Sequence, residues 1–309
     1  MNPIEKRLRE KRVLILDGAF ASELERRGLC LADELWSARA LLDHPELVRA
    51  VHLDYLRAGA DIITTASYQA TLEGFCRKGA AREKAAELIR RSVRLAREAA
   101  ALYQSENPAA APPLIAASLG PYGACLADGS EYRGGYGLTK EELRLFHRER
   151  LRLLAEAHPD IIAFETLPSL LEAEALVEEL RTHPQLSCWL SFSCRDGRRI
   201  SDGTPLALCA ARLAAAPQVA ALGVNCTAPE FITPLIRQIR QETKKPVIVY
   251  PNSGETYDTE SGRWHGARLP LAAGAAAWQE AGACIIGGCC RTRPEDIAAL
   301  AAWAKNLNA

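Results

Sequence analysis

Short apolar runs recur along the chain, each followed by a longer stretch in which apolar and polar positions alternate at helical spacing. The runs are Val13–Asp17, Asp61–Ser67, Leu114–Gly120, Ile161–Thr166, Ser187–Cys194, Val219–Cys226, Val247–Asn252 and Cys284–Cys290. Most are apolar on both faces, as a parallel strand covered on both sides requires. The stretches between them are rich in Ala, Leu, Glu and Arg. In Glu83–Tyr103, Ala86, Ile89, Val93 and Ala96 fall on one stripe, the mark of a helix that buries one side. Leu170–Leu180 and Pro294–Ala304 repeat the pattern. Thr139 with Glu142 three residues on forms a capping box before another helix. Pro294 suits a first helical turn, where its missing N–H costs nothing.

Eight strand–helix units predict a closed (β/α)8 TIM barrel, an α/β fold. A doubly wound open sheet shares the local pattern, but eight units close a barrel with none left over. No segment resembles an interdomain linker, so residues 1–309 are expected to form one barrel domain. The least regular stretches are Pro121–Gly137 and Asn252–Ala267. Both follow strand C-termini, the end at which barrel enzymes build their sites. They are lids over that site or ordinary long loops.

Composition narrows the function. The chain has 38 basic and 38 acidic residues, without the basic excess that a nucleic-acid surface needs. No uninterrupted apolar run approaches the roughly 18 residues of a membrane span. The first twelve residues are charged and carry no apolar segment of signal-peptide type. The ten cysteines are therefore expected as reduced thiols in the cytoplasm.

Polar and reactive groups collect at the predicted strand ends. They are Asp17-Gly18, Thr64, Thr65 and Ser67, Glu165-Thr166, Asn225-Cys226, Tyr250-Pro251-Asn252 and Gly287-Gly288-Cys289-Cys290. In a barrel all of them face one mouth. Cys226 ends strand six, and Cys289 and Cys290 end strand eight, and alternate strands contribute side chains to a common layer. Neighbouring strand residues point to opposite faces, so Cys289 and Cys290 can share a ligand only if the pleat breaks. Gly287 and Gly288 make that break sterically easy. Two readings of the three cysteines follow. They are small buried hydrophobes, or they are three thiolates on a zinc ion with the fourth position open, the arrangement of a catalytic site.

Three thiolates leave zinc with a net charge of about minus one. A substrate thiol in the open position would lose its proton to the metal. With four sulfurs the charge is about minus two, and the bound sulfur stays electron-rich enough to attack an alkyl group. A neutral, histidine-rich zinc would favour activation of water instead. The ligand set points to thiol alkylation.

At these residues the chain resembles the homocysteine S-methyltransferase family, and within it the S-methylmethionine-dependent branch. The segments that carry the resemblance are LDGAFASEL from Leu16, TASYQAT from Thr65, GPYGACLADGSEYRG from Gly120, FETLP from Phe164, SDGTPL from Ser201, ALGVNC ending at Cys226, YPNSGE from Tyr250, and GGCCRTRPEDI from Gly287. They span nearly the whole chain. The resemblance implies that Cys226, Cys289 and Cys290 are zinc ligands and that Glu165 holds the ammonium of homocysteine. It implies that Asp17, Gly18 and Ala19 meet the amino-acid end of that substrate, with Ala19 standing where many relatives have a second glycine. Thr65 matches a site-lining threonine, and Trp36 resembles an aromatic that meets the methyl donor in the betaine-using branch. That branch's long C-terminal extension, and cobalamin or folate modules, have no counterpart here, which implies direct transfer in one step.

The expected reaction moves a methyl group from a sulfonium donor, S-methylmethionine or S-adenosylmethionine, to the thiolate of homocysteine, giving methionine. Charge cancels in the transition state, which favours a dry site. Trp36 and Tyr68 are candidate aromatic faces for the cation, and Asn225, Asn252 and Asp128 are further candidates to contact substrate. The expected partners are these small molecules, with the chain a monomer or weak homo-oligomer, no nucleic acid and no membrane. The same residues also admit a zinc hydrolase or lyase on this barrel, or a non-catalytic zinc or thiol sensor.

Overall fold

The computed structural model describes residues 1–30, 36–258 and 263–308, with the side chains of 36–37, 256–258 and 263–264 outside the description. Its strands are β1 (Leu14–Ile15), β2 (Ile62–Thr64), β3 (Leu114–Leu119), β4 (Ile161–Leu167), β5 (Cys188–Phe192), β6 (Val219–Asn225), β7 (Val247–Tyr250), β8 (Thr256–Asp258), β9 (Arg263–His265) and β10 (Ala283–Ile286). All but β8 and β9 form one parallel sheet in the order β1-β10-β7-β6-β5-β4-β3-β2. Leu16 bridges Ile62 in parallel. Asp61 N–H donates to Ile15 O at 2.7 Å and Asp17 N–H to Ile62 O at 3.1 Å. These contacts join the two ends of the sheet, so the (β/α)8 barrel is the observed fold and the open sheet is not.

The alternation of the strands divides the core in two. Val13, Ile15, Ile63, Ile115, Ala117, Ile162 and Phe164 face outward and pack under the helices. Leu14, Leu16, Ile62, Ala116, Ala163, Trp189, Ile248 and Ile285 fill the interior. Leu170–Leu180 is the helix expected, and Glu83–Tyr103 and Pro294–Ala304 extend to Arg82–Glu106 and Pro294–Asn308. Thr139 forms its capping box with Glu142.

Three features depart from the sequence reading. Residues 3–8 form a short helix started by an Asn2–Glu5 capping box, and its Ile4 is fully buried in the interior cluster. The eighth barrel strand stops at Ile286, four residues before the expected end, so Cys289 and Cys290 lie in the turn that follows. The 252–267 segment carries the antiparallel hairpin β8–β9, and its residues 259–262 lie outside the described residues.

Candidate metal and substrate site

The mouth is built where strands stop being regular. Along β4, Phe164 pairs with Leu190 and Leu167 with Phe192, with a register shift between them. Glu165 and Thr166 thus stand opposite the single residue Ser191, a β-bulge that re-aims side chains. Thr166 has φ of 60°, a left-handed conformation that costs a β-branched residue energy. Asn225 at the end of β6 holds it there. Thr166 N–H donates to Asn225 Oδ1 at 2.8 Å, and Asn225 Nδ2 donates to Thr166 Oγ1 at 2.7 Å. The next residue, Cys226, is also left-handed, with φ of 46°.

The bulge delivers the Glu165 carboxylate into a buried polar cluster. Ser118 Oγ donates to Oε1, and Tyr250 Oη donates to Oε2 at 3.0 Å. Trp189 Nε1 in turn donates to Tyr250 Oη at 3.0 Å. Burial raises the Glu165 pKa to about 6, against the two hydroxyl donors that favour the anion. Asp17 accepts from Thr64 N–H at 2.7 Å and from Thr64 Oγ1. Burial pushes its carboxyl well above the usual range, opposed by the Thr64 amide and reinforced by the charge of Glu165.

The three cysteines converge as expected, by a different backbone route. The Sγ atoms of Cys226, Cys289 and Cys290 all lie within 4.8 Å of one another. Cys226 and Cys289 sulfurs are in bonding contact, and Cys290 Sγ is 3.9 Å from Cys226 Sγ. Joined to each other, Cys226 and Cys289 cannot both serve as thiolates; reduced, all three can. Three sulfurs at zinc–sulfur distances of about 2.3 Å would stand roughly 3.8 Å apart in a tetrahedral site, close to the Cys226–Cys290 spacing. The soft donor set and the spacing therefore fit a thiophilic ion. Burial raises the Cys290 thiol to about 11, opposed by the Tyr132 hydroxyl that faces it, so a bound cation is what would make it a thiolate at neutral pH.

The turn carrying Cys289 and Cys290 is pinned from several sides. Gly288 N–H donates to Asp17 O at 3.0 Å and Cys289 N–H to Pro251 O at 2.7 Å. Thr292 Oγ1 donates to Cys289 O at 2.7 Å and accepts from Ala19 N–H at 3.1 Å. A Cβ on Gly288 would sit 2.6 Å from Thr292 Cβ, and one on Gly18 2.9 Å from the Tyr55 ring. Both glycines are close-approach positions. Asn225 completes the link by pointing Nδ2 at Cys289 Sγ, 3.9 Å away.

The other expected site residues fall as follows. Thr65 is buried; its hydroxyl accepts from Ser118 N–H at 3.0 Å and contacts Ser67 Oγ. The Tyr68 ring lies against Gly120, and its phenol meets Thr166. Asn252 is half-buried, and its Oδ1 has no hydrogen-bond partner among the described residues. Asp128 accepts from Ser130 N–H within its own turn. Trp36 opens a 3-10 helix, Trp36–Arg39, and its side chain lies outside the described residues. Tyr250, a strand-end group in the sequence reading, meets Glu165; Ser118, Thr292, Glu131 and Tyr132 also belong to the mouth and were not read from sequence. Each is a single polar residue in a run or loop that gives no spacing signal. Segment 121–137 folds as two 3-10 turns, Tyr122–Cys125 and Ser130–Tyr132, which lie over this mouth.

A parallel barrel with three converging thiols and a buried carboxylate at its C-terminal end defines the class: a barrel protein whose mouth could hold a thiophilic ion. The homocysteine S-methyltransferase family model matches residues 14–304, and the chain belongs to that family. It is 52% identical over 312 residues to homocysteine S-methyltransferase YbgG of Bacillus subtilis (strain 168), covering 99% of both chains. Solved structures of the homocysteine methyltransferase MmuM from Escherichia coli superpose closely. The metallated form gives a TM-score of 0.90 at 49% identity, covering 98% of this chain and all of the other. The oxidised form gives 0.91 at 50% identity with the same coverage. Among the described residues no helix is long and apolar enough to cross a membrane.

Proposed function

We propose that the chain is a zinc-dependent homocysteine S-methyltransferase that takes its methyl group from a sulfonium donor. The observation that carries this reading is the convergence of Cys226, Cys289 and Cys290 within 4.8 Å, beside a buried Glu165, in a member of that family. The three sulfurs would hold zinc, which supplies Lewis acidity that strips the proton from a substrate thiol and keeps the sulfur nucleophilic.

The protein's own groups then position and dehydrate. Glu165 pairs with the ammonium of homocysteine, its carboxylate oriented by Ser118 and Tyr250. Asp17, Gly18 and Ala19 close the amino-acid end of that pocket. The Ala19 N–H is already given to Thr292, so its part is to shape the wall. Thr65 orients Ser118, Asn225 acts by holding Thr166 and Cys289, Tyr68 and Asn252 serve the donor side, and the resemblance assigns Trp36 to the donor as well. The homocysteine sulfur attacks the donor methyl in line. The new S–CH3 bond forms as the donor's breaks, and the donor sulfur leaves as a neutral thioether. Cation and anion neutralise each other, so a water-poor mouth speeds the step, and alignment of two bound substrates supplies much of the acceleration.

The chain is proposed to act as one barrel over residues 1–309, in the cytoplasm, as a monomer or weak homo-oligomer. The test is methionine formation from homocysteine with S-methylmethionine, S-adenosylmethionine and betaine in turn, with and without a zinc chelator. Chelator-sensitive turnover with a sulfonium donor is expected. Metal bound to the cysteines with no turnover from any donor would overturn the methyltransferase reading.

A further inference from the structure

Methyl transfer between two amino acids brings two ammonium groups into one mouth, and Glu165 answers one of them. A second acidic side chain lies within electrostatic reach of the Cys290 thiol and the Tyr68 phenol. Glu131 sits in the short turn Ser130–Tyr132, entered through left-handed Gly129 with φ of 75°. The turn is firmly seated: Ser193 Oγ donates to Glu131 O, Ser130 Oγ donates to Gly123 O, and Gly123 packs against the Glu131 amide. The next side chain, Tyr132, faces Cys290. The Tyr68 phenol lies within electrostatic reach of both Glu131 and Glu165.

The Glu131 carboxylate is incompletely partnered. Its Oε2 is buried and accepts no hydrogen bond from the described residues. Among the described residues it forms no ion pair. The nearby Arg133 turns its guanidinium to the Asp128 carbonyl instead. Burial of Glu131 outweighs the two groups that favour its anion, its own backbone N–H and the charge of Arg133, and a buried carboxylate oxygen left without a donor is costly. The missing partner must carry positive charge and an N–H. A sulfonium or a quaternary ammonium offers charge but no N–H; an α-ammonium offers both.

The geometry points to Glu131 as the acceptor for the α-ammonium of the methyl donor, making it the residue that selects an amino-acid sulfonium over donors that lack an amine. The inference rests on the methyltransferase reading above. Glu165 and Glu131 then each hold one of the two amino acids.

The test compares two sulfonium donors on the metal-loaded enzyme, S-methylmethionine and dimethylsulfonioacetate, which has the same reacting centre and no amine. Glu131→Gln should raise the KM for S-methylmethionine by about ten- to a hundredfold, the worth of a hydrogen bond to a charged group. The homocysteine KM, metal content and kcat/KM with dimethylsulfonioacetate should stay unchanged. The melting temperature should hold or rise, since a buried unpaired charge is removed. Equal losses with both donors, or no loss with S-methylmethionine, would overturn the assignment. Wild-type protein that binds metal and methylates homocysteine from neither donor would instead overturn the methyltransferase reading itself.

Discussion

Asn225 commits both ends of its amide to neighbours: Oδ1 to the Thr166 peptide, Nδ2 to the Thr166 hydroxyl and toward Cys289 sulfur. It couples the strand end that presents Glu165 to the turn that presents two thiols. Groups that orient metal ligands from behind are commonly worth about 10- to 100-fold in metal affinity. Asn225→Ala should weaken zinc binding by that factor in competition with a chromophoric chelator, and should raise the homocysteine KM as well. Unchanged affinity would mean that the contact does not orient Cys289. Glu165 makes a pH prediction. Its pKa is raised to about 6 in the free protein, so below that pH the carboxyl is neutral and cannot pair with an ammonium. The kcat/KM for homocysteine should therefore fall as pH drops through about 6, reporting the free enzyme. In Glu165→Gln the value should be low throughout and that inflection should vanish. An inflection that persists would assign it to another group.

At the scale of elements, function sits where strands break their own rules. The bulge at Glu165–Thr166 and the left-handed Cys226 are backbone irregularities, and periodicity carries no mark of them. The barrel was legible because parallel strands are apolar on both faces and each is followed by a helical stripe. The meeting of Cys226 with Cys289 and Cys290 was legible because strands six and eight end near a common point. The backbone that delivers the pair was legible in part: Gly287 and Gly288 marked a break in the pleat, but the strand was read through to Cys290 and ends at Ile286. Ser118 and Thr292 were invisible for a related reason. They reach the site from two different segments, so no spacing in the chain connects them. The turn's tight packing makes a further prediction. Gly288→Ala would press a methyl group into Thr292, and the displaced turn should lose zinc. Near-normal metal content in that variant would show that the turn can yield.

For the molecule as a whole, two cores do separate work. The outer one binds helices to the sheet, and the inner one fills the barrel beneath the mouth. The N-terminal helix closes the inner core with Ile4, a role hidden in the sequence because only Ile4 and Leu8 of that charged segment are apolar. Ile4→Ala should lower stability by about 2–5 kcal/mol in denaturant titrations, with the homocysteine KM unchanged, since the plug lies away from the strand C-termini. A loss of homocysteine binding at full stability would contradict that separation.

In the proposed function, three protein thiolates hold a metal whose open position takes the homocysteine sulfur. X-ray absorption at the zinc edge, recorded on the reduced, zinc-loaded protein before and after homocysteine, tests it most directly. Sulfur coordination should rise from about three to about four, at zinc–sulfur distances near 2.3 Å. A sulfur shell that does not change when homocysteine binds would contradict the account.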